Sequence, residues 1–485
     1  MQINNGSDCI SGATPIDPKK VAIIGGGPGG LMAAYLLNRE PGIKFEVTLF
    51  EASSRLGGKI LTGNFETIDA RFEAGTAELY DYSQLGPDPL KELIASLGLK
   101  TTPMTGPTVI LDEKFLTTDQ DILHELGAKT FNAIENHYLK AEAACSPAEY
   151  YESDWKSDNE DRLSKITYAQ YLDSIEDESA RRYVEIAVHS DLATEPHHTT
   201  AMYGIQNWLM NSPGYMQLYS IDGGIEKLPQ ELVKQISARK LMKHSVTSVG
   251  LTKEGKYQVT SRSGKEKTTE EFDFVITALP QNWLPRIRWE GRKLAKAMRA
   301  HTKHYDHPAH YLRVTIAFEK PFWGEWVKGS YFILDAFGGC CVYDESSRDP
   351  GNKYGVLSWL IAGEAAATFA NFDKSQLVTE VLNSLPGPLQ QGRNLILEAK
   401  VHSWINSVNG LPMGYPAREP ASRHLPEPID HPNLFLVGDY LFDSTLNGVL
   451  DSAETAVDCI AERVKKEILA QTSESNLQQI PTSVR

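Results

Sequence analysis

The chain has 485 residues, of which 41% are hydrophobic and 23% charged, and these values are those of a globular rather than a disordered protein. Its 48 Lys and Arg residues and 63 Asp and Glu residues give a formal net charge of −15, and no run rich in Lys or Arg offsets this charge locally, which argues against binding to nucleic acid or to anionic membranes. The length exceeds one ordinary domain, so we expect two or three lobes.

The N-terminal 20 residues are polar and lack the apolar run of a secretory signal. The most apolar stretch, 21–37, is interrupted by five glycines and a proline, so no membrane span is predicted. The five cysteines are an odd number without paired spacing, which indicates neither a disulfide framework nor a zinc site. We therefore expect a soluble protein of a reducing, cytoplasmic compartment.

The first part of the chain shows a βαβ pattern followed by a long helical stretch. The predicted elements are a strand at 20–24, a helix at 29–37, a strand at 46–50, a helix at 88–97 and helices at 131–144, 168–175 and 179–188. The stretch from 119 to about 217 is helical and polar as a whole.

The second part of the chain is richer in strands. The predicted elements are a helix at 227–236, strands at 245–251, 257–261, 272–278 and 311–319, a strand-rich region at 330–361, a strand at 434–437, a helix at 449–468 and a polar, non-periodic end at 472–485. Strand signals near residues 21, 47, 274 and 435 predict one sheet that is assembled from separated segments. The intervening chain would then build a second lobe.

A glycine-rich motif joins the first strand to the first helix. Gly25-Gly26-Gly27-Pro28-Gly29-Gly30 satisfies G-x-G-x-x-G at that junction. Gly25 permits a tight turn, Gly27 lets the backbone approach a pyrophosphate, and Gly30 lets helix and strand pack closely. Glu51, followed by Ala52, ends the second strand, where a carboxylate can accept hydrogen bonds from an adenosine ribose. This pattern predicts a dinucleotide site, and by itself it leaves NAD and FAD open.

The residues that follow resemble a known family. Arg55-Leu56-Gly57-Gly58-Lys59 resembles the R-x-G-G-[RK] element of the flavin amine oxidase and protoporphyrinogen oxidase superfamily. In this position Arg55 can neutralise phosphate charge, while Gly57 and Gly58 let the backbone run beside the isoalloxazine edge. The resemblance implies FAD as the cofactor.

The C-terminal half carries further motifs of the same superfamily. Residues 434–439 look like the family's strand that ends in Gly438 and Asp439, whose acid hydrogen-bonds the ribityl chain. The helix start that includes Gly448, Val449 and Leu450 resembles the one whose N–H groups face the pyrimidine carbonyl of the flavin. The positive end of that helix favours negative charge on a reduced flavin. Val246 resembles the position whose backbone meets the adenine.

The resemblance implies an α/β plus α+β fold: a discontinuous Rossmann-like FAD-binding domain of the GR2 type, a mixed-sheet substrate domain and a helical sub-domain. The expected bounds are 1–69, 221–302 and 428–470 for the FAD-binding domain, 70–115 and 303–427 for the substrate-binding domain, 116–220 for the helical sub-domain and 471–485 for a flexible tail. No cysteine lies where some members attach FAD, so non-covalent binding is expected.

Arg313 is a departure from the family pattern. Many members have a lysine eight residues before the proline of a P-F-W motif, which here is Pro321, and this lysine holds a water against flavin N5. Arginine keeps the charge, but its planar fork differs from a compact ammonium. The sequence therefore does not decide whether the reduced flavin reacts efficiently with O2. A surface ion-pair role for Arg313 is the alternative.

Two further residues are candidates for the substrate site by resemblance. Tyr415 is the nearest match to an aromatic residue that flanks the substrate, and its usual aromatic partner is replaced by Val449. Glu78 stands near the position where amino-acid oxidases carry an arginine for the substrate carboxylate. An acid there would repel a carboxylate and attract an ammonium. The alternative is that Glu78 is a solvated turn residue.

The other histidines and cysteines that could bind a metal do not indicate a metal site. His301, His304, His307 and His310 are evenly spaced, but Pro308 would interrupt a helix, and no Cys or Asp cluster completes a ligand set. His197 and His198 lie in the predicted helical region. They are either structural histidines or residues that face the pocket. The adjacent Cys340 and Cys341 are ill-suited to bridge each other and are expected in the core.

The leading functional hypothesis is an amine oxidase-type enzyme that passes hydride from a small amine-containing substrate to flavin N5 and gives an imine. The flavin would be reoxidised by O2 or another acceptor. The alternatives are a flavin-dependent desaturase or dehydrogenase, or an L-amino acid oxidase, in secondary-metabolite biosynthesis, and a non-catalytic flavoprotein. A homodimer is compatible with these hypotheses.

Overall fold

The computed structural model describes residues 17–152, 162–210, 212, 214–411, 418–442 and 444–478. Its strands are β1 (Lys19–Ile24), β2 (Phe45–Glu51), β3 (Thr62–Asn64), β4 (Arg71–Glu73), β5 (Leu79–Asp81), β6 (Thr101–Met104), β7 (Thr108–Leu111), β8 (Lys114–Leu116), β9 (Gln217–Ile221), β10 (Ala238–Met242), β11 (Ser245–Leu251), β12 (Tyr257–Ser263), β13 (Glu266–Phe272), β14 (Phe274–Thr277), β15 (Arg288–Trp289), β16 (Pro308–Phe318), β17 (Tyr331–Leu334), β18 (Cys340–Asp344), β19 (Gly355–Ala362), β20 (Ile396–Asn409) and β21 (Leu434–Leu436). Its α-helices with described bounds are α1 (Pro28–Leu37), α2 (Pro89–Ser96), α3 (Asp119–Leu126), α4 (Ala128–Ala144), α5 (Pro147–Glu152), α6 (Tyr168–Leu172), α7 (Glu178–Leu192), α8 (Ala201–Leu209), α9 (Lys227–Gln235), α10 (Arg292–Tyr305), α11 (Gly363–Phe369), α12 (Lys374–Asn383), α13 (Pro420–His424) and α14 (Leu446–Gln478).

A five-stranded parallel sheet has the order β10-β2-β1-β14-β21. In the central strand β1, Val21 pairs with Val47 on one side and with Phe274 on the other. The apolar residues of β1 are buried, as expected for a parallel strand that is covered on both faces. The sheet thus unites distant segments, as the strand signals predicted. Its edge strand β10 was not predicted, because the sequence Ala-Arg-Lys-Leu-Met lacks a clear apolar pattern.

A seven-stranded mixed sheet has the order β20-β16-β19-β18-β17-β7-β8. Only β17 and β7 pair in parallel, and the other neighbours within this sheet are antiparallel. Strand β16 lies between β20 and β19, so that Arg313 pairs with His402 and with Leu360. Most side chains of β16 are buried, so this strand lies in the interior of the protein.

The helical region is connected to this mixed sheet through α7. Helix α7 packs against α4, α8 and strand β19. After Leu192 the chain turns through Ala193, whose φ of 57° lies in the left-handed region. The carbonyl oxygen of Ala193 accepts a hydrogen bond from the His310 N–H at 3.0 Å. The C-terminal end of α7 is therefore held beside the start of β16.

Several element boundaries differ from the sequence prediction. The predicted strand at 272–278 is the end of β13 followed by β14. The last helix ends at Gln478, so the end that was predicted from residue 472 to be non-periodic is helical to that point, and 479–485 lie outside the described residues. The domain bounds given above stay a prediction. None of the helices within the described ranges combines the length and the apolar character that a bilayer span requires.

The evenly spaced histidines do not form one cluster. Helix α10 ends at Tyr305 and β16 begins at Pro308, as the proline predicted. His301 is 0% exposed and packs against the rings of Tyr305 and Tyr440, with centroid distances of 4.7 and 6.0 Å. Burial, with smaller contributions from nearby cationic groups, lowers the pKa of His301 to about 3. His301 is thus a buried, neutral histidine.

We expect His301→Phe to reduce the acid sensitivity of the fold. Because the pKa of an unfolded histidine is about 6.5, His301 costs stability as the pH falls below that value towards its folded pKa. At pH 5 the cost reaches about 2 kcal/mol, since each pKa unit corresponds to about 1.4 kcal/mol. Thermal unfolding at pH 5 and pH 7.5, followed by circular dichroism, should show a smaller difference for the variant. The exposed His124→Gln serves as control, and an unchanged difference for His301→Phe would contradict the expectation.

Candidate active site

The glycine turn after β1 contains contacts that require glycine. Gly25 has a φ of 108°, and its N–H donates to the Phe50 carbonyl oxygen at 2.9 Å. A Cβ atom at Gly30 would lie 2.0 Å from the Gly25 carbonyl oxygen. Gly27 is the N-cap of α1, and Pro28 is its first residue. The turn therefore presents a helix N-terminus, which favours an anionic group such as a phosphate.

Glu51 lies beside this turn at the end of β2. One carboxylate oxygen accepts the Gly26 N–H at 2.9 Å, and the other accepts the Ser53 N–H at 2.7 Å. A carboxylate has about four lone-pair positions, so both oxygens can accept further hydrogen bonds. The predicted contact of Glu51 with a ribose is compatible with this geometry.

The loop that contains Gly57 and Gly58 folds against the glycine turn. The Gly57 N–H donates to the Gly26 carbonyl oxygen at 2.8 Å. A Cβ atom at Gly58 would lie 2.9 Å from the Gly27 Cα atom. Both loop glycines have positive φ angles, 113° and 56°. The close approach of the two loops therefore depends on glycine at these positions.

Arg55 holds the shape of the same loop. Its guanidinium donates to the carbonyl oxygen of Gly58 and, at 3.0 Å, to that of Ile60. It also lies 3.9 Å from a carboxylate oxygen of Glu226. The predicted role of Arg55 in neutralising a phosphate stays a prediction, and the structure adds a positioning role for this side chain.

Lys59 and Asp439 bring the two ends of the chain together. The Lys59 Nζ atom lies 2.8 Å from the Asp439 carboxylate and 2.9 Å from the Ser407 carbonyl oxygen. The second carboxylate oxygen of Asp439 accepts the Tyr440 N–H at 3.0 Å. Two residues predicted to contact the flavin, 380 positions apart, thus form one ion pair.

The N-terminus of α14 lies against the glycine turn. The Thr445 hydroxyl accepts the Gly448 N–H at 3.1 Å and so caps the helix. A Cβ atom at Gly29 would lie 3.4 Å from the Val449 side chain. The Gly438 N–H donates to the Ser452 hydroxyl at 3.0 Å, which fixes the chain before Asp439. The N-termini of α1 and α14 are therefore neighbours.

These elements surround a cavity of about 170 Å³, which we call the main cavity. It is lined by Pro28, Lys59, Ile60, Gly75, Thr76, Ala77, Glu78, Leu79, Tyr80, Tyr311, Arg313, Tyr343, Leu360, Trp404, Ser407, Val408, Asp439, Ser444, Thr445, Leu446 and Val449. One part of this lining consists of residues predicted to contact the flavin, and another part comes from the mixed sheet and β5.

Glu78 is held in the main cavity by tyrosine hydroxyl groups. Its carboxylate accepts a hydrogen bond from Tyr343 at 3.0 Å and lies 3.4 Å from the Tyr80 hydroxyl. Burial raises the pKa of Glu78 above its ordinary value, and the hydrogen bond from Tyr343 opposes that shift. The alternative that Glu78 is a solvated turn residue is wrong, because its carboxylate is bound inside a cavity.

Arg313 lines the same cavity and is 2% exposed. Its Nη1 atom donates to the Glu73 carbonyl oxygen at 3.0 Å and lies 3.4 Å from the Glu345 carboxylate. The guanidinium carbon is 5.0 Å from the centroid of the Tyr343 ring. The alternative that Arg313 is a surface residue is therefore wrong. Its ion pair is buried.

The ion pair of Arg313 and Glu345 belongs to a larger network of buried charged side chains. The Glu345 carboxylate lies 3.1 Å from the Arg348 Nε atom and accepts the Glu73 N–H at 3.1 Å. The Glu73 carboxylate accepts hydrogen bonds from the Ile225 N–H at 2.8 Å and from Thr62 at 2.9 Å. Burial raises the pKa of Glu73 to about 7, although Arg348 opposes the shift. Two arginines thus face two buried acids.

Four aromatic residues of the main cavity are not among the site residues predicted from the sequence. They are Tyr80, Tyr311, Tyr343 and Trp404. A signal existed for Tyr311, because residues two apart in a strand lie on the same face, and Tyr311 precedes Arg313 by two. Tyr343 is 265 residues from Glu78, and no local pattern could place them together.

Not every predicted residue lies at the main cavity. Glu51, Arg55 and Val246 are outside its described lining. Val246 is 9% exposed in β11 and packs in the same apolar cluster as Phe50. The predicted substrate contact Tyr415 lies outside the described residues, so its role stays a prediction.

One group of side chains has potential metal ligands. Within the described ranges, the ligand atoms of His197, His198 and Glu364 all lie within 4.8 Å of one another, and all three residues are exposed. A structural zinc site normally has four ligands. We assign no metal to this group.

Comparison with protein families gives one match over most of the chain. The family described as flavin containing amine oxidoreductase matches residues 28–461. Among curated proteins, L-amino-acid oxidase of Mus musculus is 24% identical over 407 residues, which is 78% of this chain. The chain spans 60% of the length of that relative.

Solved structures have the same fold. A double mutant of putrescine oxidase superposes with a TM-score of 0.73 at 18% identity, covering 92% of this chain and 99% of the other. Cyclohexylamine oxidase from Brevibacterium oxydans IH-35A gives a TM-score of 0.70 at 19% identity, covering 92% and 100%. The predicted fold class is thereby confirmed.

Proposed function

The chain belongs to the flavin-containing amine oxidoreductase family, and we propose that it uses FAD to oxidise a small substrate that carries a cationic amine. The observation that carries this proposal is Glu78, a carboxylate held by Tyr343 in a cavity whose lining also includes predicted flavin contacts. An acid in this position favours an ammonium group over a free carboxylate.

The residues at the two helix N-termini fit FAD. Gly27 has no Cβ, and the nearest atom to one would be the Gly58 Cα at 3.7 Å, so the helix N-terminus can be approached closely. Glu51 has acceptor capacity left for a ribose, and Asp439 lies at the main cavity for a ribityl chain. When bound, FAD supplies the two-electron acceptor for a hydride from the carbon that bears the amine. We propose non-covalent binding, because no cysteine lines the described part of the main cavity.

The tasks of the protein are to orient the substrate, exclude water and accept a proton. A hydride leaves more readily from a neutral amine than from an ammonium. The raised pKa of Glu78 makes its carboxylate a better proton acceptor than an exposed one. The tyrosines around Glu78 provide aromatic faces for a cation and its alkyl chain. Substrate binding and deprotonation are thus assigned to the same residue.

The arginine at position 313 favours a second candidate function, which differs in the acceptor that reoxidises the reduced flavin. An arginine that is bound to Glu345 has neither the compact shape of a lysine nor its ability to lose a proton. An acceptor other than O2, as in a dehydrogenase or desaturase, is therefore the alternative. Reoxidation of the reduced enzyme in air and with an artificial acceptor distinguishes the two.

Anaerobic flavin bleaching tests the proposal directly. The purified holoprotein is mixed with primary amines, with α-amino acids of matched side chains and with non-amine alcohols. We expect bleaching with amines and much slower bleaching with amino acids. Fast bleaching by ordinary α-amino acids would contradict the role of Glu78, and bleaching by no amine would contradict the proposed function.

We expect Glu78→Gln to raise the apparent KM for an amine by about 10- to 100-fold, because a hydrogen bond between charged groups contributes about 1.5–3 kcal/mol. Flavin content should be unchanged, since Glu78 lies in the substrate part of the main cavity. Glu319→Gln, which removes an exposed carboxylate next to β16, is the control. Equal KM values for wild type and Glu78→Gln would show that Glu78 does not bind the amine.

A further inference from the structure

A second cavity of about 110 Å³ continues from the main cavity, and we call it the extension. The residues that line both cavities are Glu78, Tyr80, Tyr311, Leu360, Val408, Ser444 and Thr445. The extension reaches from this shared wall to helices α7 and α8 of the helical region.

Asp191 and Glu78 are the two acidic residues in the described lining of the extension. Asp191 belongs to the last turn of α7, which the hydrogen bond between Ala193 and His310 holds beside β16. Its carboxylate makes no hydrogen bond or ion pair with any residue that the structure describes. Burial and the charge of Glu78 hold the pKa of Asp191 well above its ordinary range. If ionised, a carboxyl group in such a place lacks a counter-charge, and a bound cation would supply it.

The remaining lining of the extension also suits a cation. It includes the five tyrosines Tyr80, Tyr82, Tyr150, Tyr203 and Tyr311 and the amides Gln206, Asn207 and Asn409. None of its described lining residues is Lys or Arg. Aromatic faces attract ammonium groups, and amide oxygens accept their hydrogen bonds. Arg313 and Arg348 lie near Glu78, whereas Asp191 has no such cation beside it among the described residues, so the extension favours positive charge at Asp191.

We propose that Asp191 and the extension bind a second ammonium group of the substrate, so that the preferred substrates are diamines rather than monoamines. This inference rests on the proposed function. One amine of the substrate lies at Glu78 in the main cavity, and the other lies at Asp191. The described lining of the extension has no Lys or Arg that would bind the carboxylate of a free amino acid there.

The test compares substrates that differ only in the second amine. With the holoenzyme, kcat/KM is measured for n-butylamine and the four-carbon α,ω-diamine, and for n-hexylamine and the six-carbon α,ω-diamine. We expect at least one diamine to exceed its monoamine by about 10-fold or more, the effect of one charged hydrogen bond. A wild-type enzyme that prefers both monoamines would overturn the proposal.

Asp191→Asn tests the residue itself. We expect its KM for the preferred diamine to rise by at least about 10-fold more than its KM for the monoamine, which loses no charged hydrogen bond at this position. Glu178→Gln, which removes an exposed acid from the first turn of the same helix, is the matched control and should keep the wild-type preference. Equal losses for both substrates would show a structural role and overturn the assignment.

The possible failures are distinguishable. If amines bleach the flavin but diamines have no advantage, the inference fails and the proposed function stands. If no amine bleaches the flavin, both fail. Should Asp191→Asn not fold, Asp191→Glu keeps the charge and is expected to retain a diamine preference with an altered chain length, while an unchanged chain-length profile would count against the site.

Discussion

Gly27→Val is expected to give a folded protein that purifies nearly free of flavin. Gly27 has a φ of −76°, which any residue adopts, so the substitution introduces no backbone strain. The nearest atom to its Cβ would be the Gly58 Cα at 3.7 Å, an ordinary contact distance. The protein itself therefore tolerates the side chain, which occupies the space through which a pyrophosphate approaches the helix N-terminus.

The measurement is the visible flavin absorbance relative to protein absorbance, together with circular dichroism. Gly30→Ala provides a contrast, because its Cβ would lie 2.0 Å from a backbone oxygen and must disturb the fold itself. Gly324→Val is the neutral control, since a Cβ atom at Gly324 would have no other atom within 4 Å. Normal flavin content in Gly27→Val would place the dinucleotide elsewhere.

Arg313→Met is expected to lower the free energy of unfolding by about 3 kcal/mol, the lower end of the range for breaking a buried ion pair. Methionine keeps much of the volume but leaves Glu345, whose side chain is 0% exposed, with Arg348 as its remaining cationic partner. The buried acids Glu73 and Glu345 would then share one arginine. Thermal unfolding of the purified holoprotein measures the loss, and the exposed Arg71→Met is the control.

Arg313→Lys separates this structural role from a role in the reaction. Lysine keeps the charge beside Glu345 but lacks the planar fork of arginine, so its loss of stability should be smaller than that of the methionine variant. If Arg313 lies where we predict, the methionine variant should be at least about 10-fold slower in flavin reduction or reoxidation, since it loses a charged donor near the flavin. The lysine variant should react faster with oxygen than wild type. Rates that are unchanged in both variants would show that Arg313 acts only through the fold.

The sequence was informative wherever one local rule decides the structure. The strand Ser245–Leu251 was predicted with its observed bounds, because its alternation and its flanking residues are local. The roles of Gly25 and Gly30 follow from a motif that requires close backbone contacts, and the structure has those contacts. The helix that ends at Gln478 was predicted too short, because its last turns lack an apolar face.

By itself, the sequence determined the βαβ start, the assembly of one sheet from distant strands and the placement of Glu78 and Arg313 as candidates. Only the tertiary structure decided that Arg313 is buried with Glu345 and that Glu78 meets Tyr343. Asp191 gave no signal, because a single acid near the end of a polar helix resembles a solvated residue. Its environment is created when the end of α7 packs beside β16. A periodic pattern shows which face of an element is buried, whereas a charge acquires its function from residues hundreds of positions away.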